Sequence, residues 1–277
     1  MSPAILPEDS KTRALSSIEL RRHLQDPAAD QESYPWISAM RELQCRLPEE
    51  FESVISLSTS ESPRDRELAA DLLGQNLLAE KQRLPEVRQI LLQMLNREQM
   101  PPVVKAIAFA LGHVNGPECL VPLVNLSEHP SADVRLAAVS SLGGGADPRA
   151  IAAMIPRVSD EDCDVRNWAT FGLGSLVEVD APGIREALLS RLNDADLEIR
   201  DEALIGLARR RESRAVPALL RELQSLKARG GSTEQWEWFV SELEEALKLV
   251  PDPMESSDWA PVAKAISALR SEGGNRP

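Results

Sequence analysis

DVRNWATFGLG, residues 164–174, carries a small residue three places after Arg166 and a leucine seven places after it. These two positions lie on one face of an α-helix, and the small Ala169 lets a second helix come close. The glycine at the next place, Gly174, is typical of the left-handed turn that ends a helix. We therefore interpret the stretch as a helix with its end, and not as a G-x-G loop that binds phosphate.

The same pattern recurs along the chain, which is typical of a repeat protein. In every copy the seventh place after the first residue is leucine, and the eighth is glycine in all copies but the last. The other copies are RELAADLLG from Arg66, VKAIAFALG from Val104, RLAAVSSLG from Arg135 and RDEALIGLA from Arg200. A proline or serine after each copy favours the first turn of a second helix. These residues are Pro85, Pro117, Pro148, Pro182 and Ser213. Each repeat is thus predicted to be helix A, a turn and helix B.

An eroded copy precedes the others. Ala39 and Leu43 stand at the third and seventh places after Trp36, and Pro48 is expected to open the helix B of this copy. With it the array comprises about six helical hairpins. We assign the array to residues 33–228.

The two ends of the chain lack the repeat pattern. Residues 1–32 form an N-terminal extension with one predicted helix, and residues 229–277 contain two predicted helices. The two C-terminal helices are expected to cap the stack, because the end of a solenoid needs a polar face. A second interpretation stays open, in which Trp238, on the other side of its helix from Trp236, belongs to a partner site.

The units resemble HEAT repeats, of the short type also found in phycobilin lyases. The resemblance lies in an aspartate six places before an arginine, as in Asp160 with Arg166 and Asp194 with Arg200. It implies that these four residues and Arg135 form a structural ladder from repeat to repeat. It also implies an all-α, right-handed α-solenoid with helical caps, and little about function, because such repeats serve many unrelated partners. The sequence departs from the family pattern at Asp65, Val104 and His129.

Composition and charge limit the possible partners. Aromatic residues make up only 4% of the chain, which favours close helix packing over a β-sandwich. The net charge of −13 repels phosphate backbones and anionic membranes, so we expect neither nucleic acid nor a membrane as partner. No secretory signal or membrane span is visible. Cys45, Cys119 and Cys163 form no paired motif and are predicted to be reduced, buried thiols in a cytoplasmic protein.

No arrangement of residues in the sequence indicates catalysis or metal binding. The three histidines, His23, His113 and His129, fall in different units without the spacing of a helical metal site. The acids beside Cys163 should raise the pKa of its thiol and make it a poor nucleophile. We therefore expect no enzyme activity, no metal and no cofactor. The basic run Arg209–Arg211 is predicted to be a solvated helix end, with a dock for phosphate or an acidic peptide as the alternative.

The B helices carry the predicted binding residues, because in HEAT arrays these helices line the concave side. Two rows of positions on them hold mostly neutral, hydrogen-bonding side chains that suit a polypeptide better than a phosphate backbone. The candidate partner-binding residues in these rows are Gln93, Asn96, Asn125, Ser190, Asn193, Arg221 and Gln224. Ordinary solvated helix positions are the alternative interpretation. Trp168 is added as a partner anchor together with Asn167, or else packs against a neighbouring helix A.

We accordingly predict a non-catalytic module that binds another protein through its concave surface, as an adaptor, scaffold or regulator. The alternative is a phycobilin lyase or isomerase subunit, as this repeat type resembles. It would need an aromatic groove for an open-chain tetrapyrrole, and the chain has one tyrosine and few aromatic residues on B helices. A HEAT-like DNA glycosylase would need a basic concave face, which the two rows lack.

Overall fold

Every regular element that the structure describes is a helix, so the predicted all-α fold class is confirmed. The structure is a computed structural model, and the residues that it describes are 12, 14–26, 34–75, 83–229, 234–248 and 258–273. The chain divides into two compact units, residues 1–141 and residues 142–277. The α-helices of the first unit are α1 Ser17–Leu24, α2 Tyr34–Ser58, α3 Pro63–Gln75, α4 Leu84–Leu95, α5 Pro101–Val114, α6 Pro117–Leu126 and α7 Ala132–Leu142, of which only the last residue belongs to the second unit.

The second unit continues the alternation of helices. Its α-helices are α8 Pro148–Arg157, α9 Cys163–Phe171, α10 Pro182–Leu189, α11 Leu197–Arg209, α12 Val216–Arg229, α13 Glu234–Leu247 and α14 Ala260–Gly273. Four of the five predicted helix-B starts have proline in the first turn, and Ser213 instead opens a 3₁₀ turn that leads into α12. Proline suits that place because the first N–H groups of a helix have no partner in the helix.

Within the first unit the helices pack in two layers. The A layer consists of α3, α5 and α7, and α3 lies against α5. α7 reaches α5 through Ser141, whose hydroxyl donates to the carbonyl of Ala108 at 3.1 Å. The B layer consists of α4 and α6, which contact each other. Side-by-side packing of like helices is the organisation of an α-solenoid, as predicted.

The second unit has the same two layers, and its last two helices belong to them. The A layer runs α9, α11, α13, with consecutive helices in contact, and in the B layer α8 contacts α10 and α12 contacts α14. The terminal pair α13 and α14 thus packs on α11 and α12 as one more hairpin. It covers apolar side chains that would otherwise face water, among them Phe239 and Val240.

The first predicted hairpin is not formed. Helix α2 runs without a break through Pro48, where the sequence pattern places the start of a helix B. This single helix contacts both α3 and α4, so it serves both layers at the N-terminal end of the array. The predicted turn is therefore wrong, whereas Ala39 and Leu43 are buried as the pattern requires.

The repeated leucines and small residues form the core, as predicted. The leucines seven places into the copies are all buried, and so are the residues three places in. These leucines are Leu73, Leu111, Leu142, Leu173 and Leu207. Because the same two slots are buried in each copy, neighbouring repeats can share one continuous apolar core.

The repeated glycines lack the left-handed backbone predicted for a helix end, which corrects the sequence interpretation. Gly174 lies inside a π-helical turn, Gly172–Leu176, that prolongs α9, and among the described glycines only Gly144 has a left-handed backbone, with φ of 82°. Close approach explains the other glycines instead. A Cβ atom on Gly74 would lie 2.6 Å from the Cα of Ala110, so α3 and α5 could not cross where they do with a larger residue there.

Candidate functional site

In four of the five copies an arginine holds the turn between neighbouring hairpins. Nη1 of Arg166 donates to the carbonyls of Asp160 and Glu161, at 2.9 and 3.1 Å. The same two bonds, to the residues six and five places back, recur in three further copies. The arginines of those copies are Arg66, Arg135 and Arg200. Arginine suits this task because its planar group offers several N–H donors in a fixed geometry.

The aspartates of the ladder organise the same turns. The Asp194 carboxylate accepts from the backbone N–H of Asp196 at 3.1 Å and from Arg191 at 3.1 Å. It also lies 3.4 Å from Nε of Arg166 in the preceding repeat, which forms one rung of the ladder. In the same way, the Asp160 carboxylate accepts a hydrogen bond from the backbone N–H of Asp162, in its own turn, at 3.1 Å.

Two positions that depart from the family pattern perform the same task with other groups. Nδ1 of His129 accepts the N–H of Ser131 at 3.0 Å, as the aspartates do in their turns. Glu98 binds Arg66 of the preceding repeat through both oxygens, at 2.6 and 3.2 Å. Burial raises the pKa of Glu98, but the bonds from Arg66 and from two backbone N–H groups outweigh it and lower the pKa below its usual value. The sequence interpretation missed Glu98, although it stands six places before Val104.

The predicted B-row residues are all exposed. In the first unit Gln93 lies on α4, Asn96 directly after it and Asn125 on α6. The side chains of these three form no hydrogen bond or ion pair with another described residue.

The second unit places four more of them on its B layer and the turns after it. These are Ser190, Asn193, Arg221 and Gln224, all exposed. The Ser190 hydroxyl donates to the carbonyl of Ala187 at 2.6 Å, so it is partly used within the chain. The pattern therefore distinguished surface from core correctly, and the binding role of these residues stays a prediction.

Trp168 lies on the A layer, apart from the B rows. Its side chain is 42% exposed and meets Phe171 of the same helix edge to face, with ring centroids 5.7 Å apart. Asn167 donates to Glu198 of α11 at 3.3 Å. Both interpretations of Trp168, packing against a neighbouring helix A and a partner anchor, stay predictions. Trp238, on α13 of the same layer, is 40% exposed.

Arg210 is buried, which contradicts the predicted solvated helix end. Its guanidinium donates to the carbonyls of Leu173, Gly174 and Val177, at 2.7, 3.0 and 2.6 Å. These carbonyls belong to the π-helical end of the preceding helix A, where backbone oxygens lack partners in the helix. Burial lowers the pKa of Arg210 from its usual value. Its neighbour Arg211 is exposed, with a positive φ of 54°.

Two carboxylates on A helices have raised pKa values. Burial raises the pKa of Asp71 to about 7, and Glu67 one turn away raises it further. Burial raises the pKa of Glu202 to about 6 against the opposing effect of a 3.1 Å bond from the Ser175 hydroxyl. Neither was singled out in the sequence, because burial of a charged residue follows from the neighbouring helices.

The cysteines only partly follow the prediction. Cys119 is buried, and burial raises the pKa of its thiol to about 11. Cys45 and Cys163 are exposed, so the expectation of buried thiols is wrong for them. The pKa of Cys163 is raised by desolvation and then by Asp196, which accepts from its thiol, rather than mainly by the flanking acids.

The described residues contain no group of three or more His, Cys, Asp and Glu side chains placed to hold a metal ion. Within the same residues, no helix combines the length and apolarity that crossing a membrane requires.

Solved structures with this arrangement of helices exist. The chain is similar to the YibA protein of E. coli, with 25% identity over 98% of this chain and 99% of that one, and a TM-score of 0.69. It shares its fold with the archaeal HEAT-like repeat protein of Thermococcus onnurineus, at 16% identity over 91% and 98% of the two chains and a TM-score of 0.50. For the CpcE–CpcF phycocyanin lyase complex of Nostoc the identity is 20%, over 79% and 94%, and the TM-score is 0.38. No curated protein matches the chain.

The family described as HEAT repeats matches the sequence three times, over residues 51–143, 88–174 and 151–228. The three matches overlap and together extend from Phe51, in the second half of α2, to the end of the predicted array. Because they cover more than half of the chain, this protein belongs to the HEAT-repeat family.

Proposed function

We propose that this protein is a non-catalytic binding module, an adaptor, scaffold or regulator, that holds a partner polypeptide on its B-helix surface. The observation that carries the proposal is the exposure of all seven predicted B-layer residues, which alternate with buried apolar side chains on the same helices. On α4, for example, the exposed Gln93 stands between the buried Leu91 and Met94.

The chemistry of these side chains suits a polypeptide. An asparagine or glutamine amide both donates and accepts hydrogen bonds, so it can pair with the N–H and the carbonyl of a partner backbone. Five of the seven residues are such amides. Only Arg221 carries a positive charge, whereas binding of a phosphate backbone requires several. The net charge of −13 favours the same conclusion.

The bilin-binding alternative receives less support. An open-chain tetrapyrrole needs apolar and aromatic contacts, and pockets for such ligands are lined mainly by these side chains. Yet the two exposed tryptophans of the second unit, Trp168 and Trp238, lie on A helices. Among the residues that the structure describes, the B rows are polar.

Affinity capture from the native cell extract, with the partners identified by mass spectrometry, tests the proposal. The test variant changes Gln93, Asn125, Ser190 and Arg221 together to alanine. We expect it to lose a partner that the wild-type chain retains, and titration calorimetry with that purified partner should give an affinity at least about tenfold weaker.

A matched control variant changes four exposed A-layer residues to alanine, at His113, Asp133, Glu237 and Glu245. It should retain the partner, and circular dichroism should show the same helix content for all three proteins. A row variant that retained every partner would overturn the proposal.

A further inference from the structure

A continuous outer surface of the second unit combines exposed tryptophans with carboxylates. On α9, Asp164 and Trp168 stand one turn apart. In the π-helical turn that follows α9, the Ser175 hydroxyl donates to the buried Glu202 of α11 at 3.1 Å. Next to Trp168, the side chain of Asn167 donates to Glu198 of α11 at 3.3 Å. The aromatic side chain on one helix thus lies next to the acidic face of the following one.

The surface continues onto α13. Arg209 of α11 donates to the Ser175 carbonyl at 3.0 Å and to the Glu242 carboxylate at 2.6 Å. Trp238 stands one turn before Glu242 on α13 and is 40% exposed. We call the set Asp164, Trp168, Glu198, Trp238 and Glu242, with Arg209 between them, the A-layer surface. It places an exposed tryptophan on each of the two outer helices.

The charge of the A-layer surface is strongly one-sided. Three carboxylates, those of Asp164, Glu198 and Glu242, accompany one guanidinium, and that guanidinium is already paired with Glu242. Glu198, which accepts from Asn167 beside Trp168, is exposed and makes no ion pair with a described residue. Uncompensated negative charge next to an indole face is the environment that attracts a cationic side chain, because the face of the ring also carries partial negative charge.

We propose that the A-layer surface binds a segment of a partner polypeptide rich in lysine and arginine, with a cationic side chain stacked on Trp168 and others paired with Glu198 and Asp164. The charge of the whole chain, −13, steers the same kind of partner towards it. This surface is separate from the B rows, so the inference does not depend on the proposed function.

Fluorescence anisotropy with a labelled peptide of alternating lysine and glycine tests the inference on the full-length protein. We expect binding at low ionic strength that weakens as salt is added, and no binding of a peptide in which glutamate replaces lysine. Trp168→Ala should weaken the binding about fivefold, and Trp168→Phe should restore part of it, because a smaller aromatic face remains. Glu198→Gln should weaken it to a similar extent.

The B-row variant described above is the control, and it should bind the lysine peptide like the wild type. Loss of binding in that variant, with no effect of Trp168→Ala, would overturn the inference. Equal binding to the wild type and to Trp168→Ala would do so too, because the attraction would then be nonspecific. Sedimentation of the free protein supplies the last check. If concentration-dependent self-association disappears in Trp168→Ala, the surface belongs to a second copy of this chain and the inference is wrong.

Discussion

Replacing Arg210 by methionine should destabilise the protein far more than replacing either of the neighbouring arginines. The guanidinium is 8% exposed and donates to five carbonyls, including those of Leu173, Gly174 and Val177 from the preceding helix A. Methionine keeps much of the volume but offers no donor. The carbonyls of the π-helical end then stay buried without a partner, at about 1–3 kcal/mol each before relaxation.

Local relaxation and water entry will reduce the sum over three such carbonyls. We therefore expect Arg210→Met to lower the free energy of unfolding by about 4 kcal/mol. Arg209→Met loses one carbonyl bond and a half-buried ion pair, and should lower it by about 1 kcal/mol. Arg211 is exposed, so Arg211→Ala should change it by less than about 0.5 kcal/mol.

Urea unfolding followed by circular dichroism at 222 nm measures the three differences. Hydrogen exchange should localise the loss, with faster exchange at the amides of the π-helical turn Gly172–Leu176 in Arg210→Met only. A stability of Arg210→Met within about 1 kcal/mol of the wild type would refute the reasoning, as would equal effects of the three substitutions.

Three further predictions concern other contacts between repeats. Gly206→Ala should lower the free energy of unfolding by about 1–2 kcal/mol, because the new Cβ would lie 2.5 Å from the Cα of Gly174. The control is Gly183→Ala, whose Cβ would meet only the end of the Ile155 side chain, at 3.2 Å. Thermal unfolding should show a lower midpoint for Gly206→Ala than for the control. Ionisation of Glu202 in the folded chain is unfavourable, since its pKa is about 6 against 4.5, so its stabilising contribution is complete below pH 4.5 and is lost as the pH rises through 6. Glu202→Gln should therefore raise the free energy of unfolding by up to about 2 kcal/mol more at pH 8 than at pH 4, and an equal effect in urea titrations at both values would contradict this. Asp194→Ala removes an acceptor of two arginines and a backbone N–H, so it should lower the free energy of unfolding by about 1 kcal/mol or more. A smaller decrease in urea titrations would show that the ladder is not structural.

The repeat itself could be predicted from sequence because its signal lies within single helices. Leucine and a small residue at fixed places define an apolar face whatever surrounds the helix, and proline marks a first turn for a local reason. The exposure of Gln93 and Asn125 follows from the same periodicity. The turn predicted at Pro48 is not formed. One proline does not decide whether a long helix ends, because here both halves of the helix have a layer of helices to pack on.

Other features of the site depend on residues from different repeats. Glu98 binds Arg66 of the preceding hairpin, and only their meeting in space reveals that Glu98 takes the place of the family's aspartate. The exposure of Trp168 also depends on other repeats, since its position within the repeat does not indicate whether a neighbouring helix covers it.

The amino-acid sequence by itself determined the class of the fold, the family and the division of most helices into core and surface, because each depends on spacing within about ten residues along one helix. The tertiary structure alone decided that Arg210 is buried, that Gly74 is required for a close helix crossing and that Trp168 and Trp238 share one outer layer. Those properties are set by the partner helix, which is brought near by the stacking of repeats and which no pattern within a single helix specifies.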